Sequence, residues 1–336
     1  MMTSTALPTV GVLGTGSYLP DRVVDNAEIE RRVPRAEAHW ITERTRIEGR
    51  RYAAEHEATS DLAAAAGRQA LARAGLGPAD LDYIIVATST GDSPQPPTSC
   101  LVQHQLGATS AACFDINVVC AGFVYGAALA RSLIAVRPQA RVLVVGADVY
   151  SRILDYDDRS TAVLLGDGAG AAVFGAVEAP YGIVEVGLAS RGDAQDLIRV
   201  EAGGSRKPTT AETVAQGGHY FRMNGRGVRD FVMETVPPAV HDLLLRAGLK
   251  LGDVDHFVPH QANGVLLRQL VEKVGLQHAR THYTLERYGN VGSASVPIAL
   301  DDAYSSGALA DGDVVVLAGF GGGMSLGTCV LRWCAR

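Results

Sequence analysis

Lysine is almost missing from this chain. Only Lys207, Lys250 and Lys273 are present, and arginine supplies the other 27 of the 30 basic residues. Acidic residues outnumber basic ones and the net charge is −6. The concentrated basic surface that grips a phosphate backbone is therefore lacking, and nucleic acid is not expected as a partner. No apolar run reaches the ~20 residues of a membrane span. The opening MMTSTALPTVGVLG has no charged segment leading into a long apolar core, as a secretory leader would. These absences lead to the expectation of a cytoplasmic protein without membrane contact. The five cysteines (Cys100, Cys113, Cys120, Cys329 and Cys334) contain no CxxC pair and no zinc-like spacing. Neither a disulfide framework nor a metal site is expected.

What the chain does have is length and a repeat. At 336 residues and 47% hydrophobic content it can bury a large core, as two domains or as one α/β unit built twice. AGLGPADLDYIIVATST, starting at Ala74, resembles AGLKLGDVDHFVPHQAN, starting at Ala247. Both end a helical pattern at AGL, turn through an Asp and enter an apolar run. The offset is 173 residues, and the same offset lays RVLVVGA (141–147) over VVVLAGF (314–320). One constant offset over two separated matches points to two similar halves, residues 1–178 and 179–336.

Within each half, helical and strand patterns alternate. Residues 61–74, 97–106 and 121–136 read as helices, and 81–88, 112–119 and 141–148 as strands. In the second half 228–247, 263–274 and 296–304 read as helices, and 254–258, 314–319 and 327–332 as strands. The strands are apolar throughout, which implies burial on both faces. Two such sheets with helices between and outside them give an α/β/α/β/α architecture. Residues 190–225, rich in glycine and polar residues, fit neither pattern and read as an irregular insertion.

Reactive groups in α/β folds gather at strand ends, where loops are exposed and the sheet is rigid. Cys120, in DINVVCAGFVYGAALARSL, ends the 112–119 run and opens a helical pattern. An arbitrary cysteine is usually a small inert hydrophobe. A thiol at a helix N-terminus is instead expected to have a lowered pKa, and Ala121 and Gly122 leave room for an acyl group. His260, in VPHQAN, falls opposite Ala87 in the repeat, at the end of a strand pattern. Pro259 before it and the polar Gln261 and Asn263 after it suggest a strand terminating in a site. Asn290, in YGNVGSASVP, reads by composition as a turn residue. GVLGTGSYLP lacks the third glycine and the acidic residue of a dinucleotide loop. GFGGGMSLG (319–327) lacks the Lys-Ser/Thr of a phosphate loop; its glycines can instead bring a backbone N–H against a reacting carbonyl.

Taken in order, GTGSYLP (14–20), WITERTRI (40–47), CAGF (120–123), GDGAGAAV (166–173), VPHQAN (258–263), GNVGSASVP (289–297) and GFGGG (319–323) run along nearly the whole chain. Together they resemble the thiolase-fold condensing enzymes, most closely the beta-ketoacyl-acyl-carrier-protein synthase III family. The resemblance implies a thiolase-like five-layered fold from two duplicated halves, with a catalytic set of Cys120, His260 and Asn290. It implies an oxyanion hole from the backbone N–H groups of Cys120 and Gly322. Cys120 would take an acyl group from an acyl-CoA, and His260 and Asn290 would stabilise the enolate left when malonyl on acyl carrier protein loses CO2. By the same resemblance Trp40, Arg44 and Arg159 would receive the CoA adenine and phosphates, Gly225 and Asn263 the pantetheine arm, and Phe320 would shield the site from water. A homodimer is implied; a metal or other cofactor is not.

Several positions depart from the family pattern. Arg46 stands where Gly is common, and Val118 and Val119 stand where small residues precede the nucleophile. Gln95 and Met324 replace aromatics of the acyl pocket. Asp230, beside Arg229, and Val265 stand where Lys or Arg would meet an acidic carrier protein, while Arg268 and Lys273 remain. The expected activity is a priming ketosynthase of polyketide or fatty acid biosynthesis. The alternative is an acyltransferase that passes the acyl group to a non-malonyl acceptor without condensation. A non-catalytic ketosynthase partner would have lost Cys120, and a thiolase would carry a second cysteine within 319–327.

Overall fold

The structure is a computed structural model that describes residues 8–334. The leader reading rests in part on residues 1–7, which lie outside the described residues. The first half opens with β1 (Thr9–Tyr18), β2 (Arg22–Asp25), α1 (Asn26–Arg32), α2 (Ala38–Thr45), β3 (Gly49–Tyr52), α3 (Thr59–Ala74), β4 (Tyr83–Ala87) and α4 (Thr98–Leu106). It continues through β5 (Ala112–Ile116), α5 (Gly122–Val136), β6 (Val142–Val149), α6 (Arg159–Ala162) and β7 (Asp167–Val177). The second half begins with β8 (Gly182–Ser190), β9 (Ile198–Val200), α7 (Ala211–Ala215), β10 (Phe221–Met223) and α8 (Gly225–Arg246). Then come β11 (His256–Pro259), α9 (Gly264–Val274), β12 (Arg280–Thr281), α10 (Leu285–Tyr288), α11 (Ser295–Ser305), β13 (Val314–Gly321) and β14 (Ser325–Arg332).

Two five-stranded sheets have the same topology, β1-β7-β6-β4-β5 and β8-β14-β13-β11-β12. In each, a parallel trio (β5, β4, β6 and β12, β11, β13) is extended by two antiparallel strands. Every residue of β6 and β13 is buried, as strands covered by helices on both faces must be. One core joins β4, β6 and β7 to α3 and α4, through residues such as Ile84, Leu143, Leu62 and Val102. A second joins both sheets to α5 and α11 between them, through Phe123, Val144, Val296 and Leu317. A third joins β13 and β14 to α8 and α9, through Val316, Val330, Val236 and Leu267. These are the five layers expected of a duplicated thiolase-like fold.

Three local features have physical causes. GVLGTGSY (11–18) lies within strand β1. A Cβ at Gly16 would lie 2.4 Å from the Ala66 carbonyl oxygen, so glycine there lets α3 press its backbone onto the sheet. Residues 119–136 are apolar enough to cross a membrane by composition (mean hydropathy 1.8), yet here they form the buried helix between the sheets. The segment after Ser190 is more ordered than expected: β9 and β10 pair as a small antiparallel ribbon.

Candidate active site

Strand β5 stops at Ile116, short of the 112–119 expected, because the chain turns sharply before Cys120. Val119 has φ 45°, a left-handed conformation that is costly for a β-branched residue. Cys120 sits in the tight 3-10 turn Val119–Ala121 that leads into α5, rather than at the end of the strand. The repeat places a matching turn, Gly292–Ala294, at the head of α11, and its Gly292 has φ 53°. Both central helices thus begin with the same backbone device.

Cys120 is buried, 7% exposed. Burial pushes its thiol well up, the Asp148 carboxylate adds to this, and the residue's own backbone N–H pulls the other way. The lowered pKa expected from the helix N-terminus is therefore overturned. A helix end contributes about 0.3–2 kcal/mol to an anion, whereas desolvating an ion costs several kcal/mol. The resting group is a thiol. Gly321, at the end of β13, lies directly against it: a Cβ there would come 2.7 Å from Cys120 Cβ and 2.9 Å from Sγ. The next residue, Gly322, has its α-carbon over Val119 and Ile198.

His260 follows β11, its backbone N–H donating to the Ala318 carbonyl at 2.7 Å. Its ring is buried, and burial lowers its pKa from 6.5 to about 3, so the imidazole is neutral. Nδ1 is buried without a partner. An orphaned acceptor is tolerated better than an orphaned N–H, which places the proton on Nε2. Phe320 meets the ring edge-on, centroids 5.3 Å apart. Asn290 is held by its backbone: its N–H donates to Leu164 O and its carbonyl accepts from Gly166 N–H, both at 2.9 Å. Its side-chain Oδ1 accepts from Gly292 N–H at 2.9 Å, which leaves the NH2 group as the free donor.

Cys120, His260, Asn290, Phe320 and Gly321 share the wall of one cavity of about 360 Å³. Trp40, Arg44, Arg159, Gly225 and Asn263 line the same cavity. The Arg159 guanidinium stacks over the Trp40 ring at 4.6 Å, a cation and an aromatic face together, suited to a nucleotide. Asn263 is less free than expected. Its Oδ1 caps α9 through Val265 and Leu266 N–H, and its Nδ2 donates to Arg44 O at 3.1 Å.

The two residues assigned to an acyl pocket are not in this wall. Gln95 is exposed on the 91–97 loop, where Pro94, Pro96 and Pro97 keep the chain out of the sheet. Met324 is fully buried behind the glycine turn, its backbone paired with Arg191 in both directions. The wall also includes Tyr150, Leu165, Ile198, Phe221 and Met223, which the sequence reading missed. Three of these come from the supposedly irregular 190–225 segment, whose alternating Phe221 and Met223 were the available signal. Among the described residues no group of three or more His, Cys, Asp or Glu side chains is placed to hold a metal.

Comparison with known proteins agrees with this geometry. The family described as 3-oxoacyl-[acyl-carrier-protein (ACP)] synthase III matches residues 114–192, and its C-terminal part matches residues 244–333. Acetoacetyl CoA synthase NphT7 of Streptomyces sp. (strain CL190) is 48% identical over 324 residues, covering 96% of this chain and 98% of that protein. A beta-ketoacyl-[acyl-carrier-protein] synthase III of Caldanaerobacter subterraneus subsp. tengcongensis is 43% identical, covering 96% of this chain and 97% of its own length. The solved priming beta-ketosynthase of the R1128 polyketide pathway superposes with a TM-score of 0.88 at 35% identity, over 99% of each chain. With the duplicated fold and the shared cavity already in place, these matches establish that the chain belongs to the 3-oxoacyl-[acyl-carrier-protein] synthase III family, ketosynthases of the thiolase fold.

Proposed function

We propose that this priming ketosynthase condenses a short acyl-CoA with a malonyl thioester through an acyl group carried on Cys120. The carrying observation is that Cys120, His260 and Asn290 line one cavity whose lining also includes Trp40, Arg44 and Arg159. Cys120 Sγ attacks the thioester carbonyl, and CoA departs as a thiol with the proton that Cys120 gives up. Backbone N–H groups of Cys120 and Gly322 stabilise the tetrahedral oxyanion. Malonyl then loses CO2, and its electron pair becomes an enolate whose oxygen accepts hydrogen bonds from His260 Nε2 and the Asn290 amide. A neutral imidazole suits this role, since it donates without surrendering its proton. The enolate carbon attacks the acyl carbonyl, the carbon–sulfur bond to Cys120 breaks, and Sγ regains a proton from water. No metal or redox group enters any step, so activity should survive dialysis against EDTA.

The test separates the half-reactions. Incubation with acetyl- or propionyl-CoA should add one acyl mass, which Cys120→Ala abolishes. His260→Ala and Asn290→Ala should still acylate but release little CO2 from malonyl thioester. Acylation surviving in Cys120→Ala would remove the nucleophile from the scheme. Transfer to a non-malonyl acceptor without condensation is disfavoured, because it has no use for the retained Asn290.

A second reading concerns what carries the malonyl group. Arg229 is drawn to Asp230 at 3.6 Å, and Val265, in the lining of the same cavity, is 37% exposed. Both weaken the basic surface an acidic carrier needs, and one relative is named an acetoacetyl CoA synthase. On this reading malonyl-CoA replaces malonyl carrier protein, and turnover of the two at equal concentration decides between them. The homodimer is proposed through β5, an edge strand whose residues are partly exposed and whose outer side pairs with no strand in the sheet. Sedimentation velocity would show it. A cytoplasmic setting, where CoA thioesters are made, completes the reading.

A further inference from the structure

Asp148, the penultimate residue of β6, is fully buried, and among the described residues no salt bridge reaches it. Its two oxygens instead collect six hydrogen bonds from two different places. Oδ1 accepts from Thr88 Oγ1 (3.2 Å), Ser89 N (2.9 Å), Ser89 Oγ (3.1 Å) and Thr90 Oγ1 (3.0 Å), all in the loop after β4. Oδ2 accepts from Ser293 N at 2.8 Å and Ser293 Oγ at 2.7 Å, in the turn that carries Asn290. Ser89 Oγ is also 2.7 Å from the hydroxyl of Tyr150, a residue of the cavity wall. The turn itself rests on this pair: a Cβ at Gly292 would come within 2.4 Å of both Asp148 Oδ2 and the Tyr150 ring. Gly292 N–H, in turn, holds the Asn290 Oδ1 at 2.9 Å.

The duplication shows how this arrangement differs from its counterpart in the other half. The 173-residue offset that relates the halves sets Cys120 over Ser293, Val119 over Gly292 and Gly321 over Asp148. At the first position a glycine leaves Sγ uncovered towards the cavity. At the second a carboxylate fills that space and takes up the serine hydroxyl, which also reaches Ala87 O at 2.8 Å. Ser293 thus occupies the nucleophile's position in the second half, but it is bonded into a clamp.

We propose that Asp148 is a positioning residue for condensation: by gripping Ser293 and the 88–90 loop at once, it aims the Asn290 amide into the cavity. A carboxylate is needed because each oxygen faces a backbone N–H, Ser89 on one side and Ser293 on the other. An amide would satisfy one and oppose the other. This inference rests on the reading of Asn290 as the enolate donor.

The experiment uses the full chain and scores acylation by acyl-CoA and CO2 release from a malonyl thioester separately. Asp148→Asn should acylate Cys120 within about threefold of the wild type while its decarboxylation kcat falls about 10- to 100-fold at unchanged KM, the scale of a ~1 Å misplacement. Ser293→Ala, which keeps the backbone N–H bond, should show a smaller loss in the same direction. On an Asn290→Ala background neither substitution should cost anything further, since the group they aim is gone. Should Asp148→Asn fail to fold, Ser293→Ala with and without Asn290→Ala performs the same test. Normal decarboxylation in both variants, equal loss of both half-reactions, or a full penalty persisting on the Asn290→Ala background would each overturn the proposal. Normal decarboxylation by Asn290→Ala alone would instead strike the underlying reading of Asn290.

Discussion

Gly321→Ala offers a sharp test of the site geometry. A Cβ at this position would sit 2.7 Å from Cys120 Cβ, 2.9 Å from Sγ and 3.2 Å from the Cys120 backbone nitrogen. Ordinary carbon–carbon contacts lie at about 3.5–4.0 Å, so the nucleophile has to retreat by somewhat under 1 Å. Neither side can yield easily, because Cys120 is held in its turn by Val119 and Gly321 ends the central strand of its sheet, paired with Ser325. Overpacking of this kind costs about 1–3 kcal/mol, or a fall in Tm of roughly 1–4 °C for a chain of this size. The functional loss should be larger. Moving an attacking atom by most of an ångström costs up to ~100-fold, so stopped-flow acylation followed by intact mass should slow 30- to 100-fold. Gly322→Ala, which keeps its backbone N–H, is the comparison, because the nearest atoms to its Cβ would be Val119 and Ile198 side chains at 3.1–3.5 Å rather than Cys120. Acylation by Gly321→Ala within threefold of the wild type, in a folded protein, would refute this placement of the sulfur.

Three further outcomes follow from burial and backbone conformation. Because burial raises the Cys120 thiol, its iodoacetamide alkylation should still be climbing at pH 9.5, where an ordinary thiol has levelled; a plateau near pH 8.5 would contradict the raised pKa. His260 titrates near 3 when folded and near 6.5 when unfolded, so its share of stability is complete above about pH 6.5. That share drains away as pH falls towards 3, for a total of roughly 4–5 kcal/mol. Urea midpoints between pH 6.5 and 4 should therefore fall less steeply in His260→Gln than in the wild type, and parallel curves would argue against the buried neutral ring. Arg46 caps α2 at φ 63°, where a side chain costs about 1–2 kcal/mol; Arg46→Gly should raise Tm by a few degrees, and a lowered Tm would show that the arginine's packing on Gly264 outweighs the strain.

The sequence by itself determined the duplication and the order of the layers, and its motifs picked out three side chains, Cys120, His260 and Asn290, that line one cavity. All of these are carried by local patterns: an apolar run, a helical period, a constant offset, a short motif. Boundaries near the site were less legible, because the chain departs from regular structure there; nothing in DINVVCAG announces that Val119 takes a left-handed conformation and stops β5 at Ile116. Only the tertiary structure decided the ionisation of Cys120 and His260, since desolvation depends on what the other half of the chain lays over a group. It likewise decided that Gly321 presses on the sulfur, that Gln95 and Met324 stay out of the cavity wall, and that the 190–225 segment supplies part of it. Asp148 is the clearest case. Its partners lie about 60 residues before it and 145 after it, and no local pattern reports a bond formed only when two halves meet.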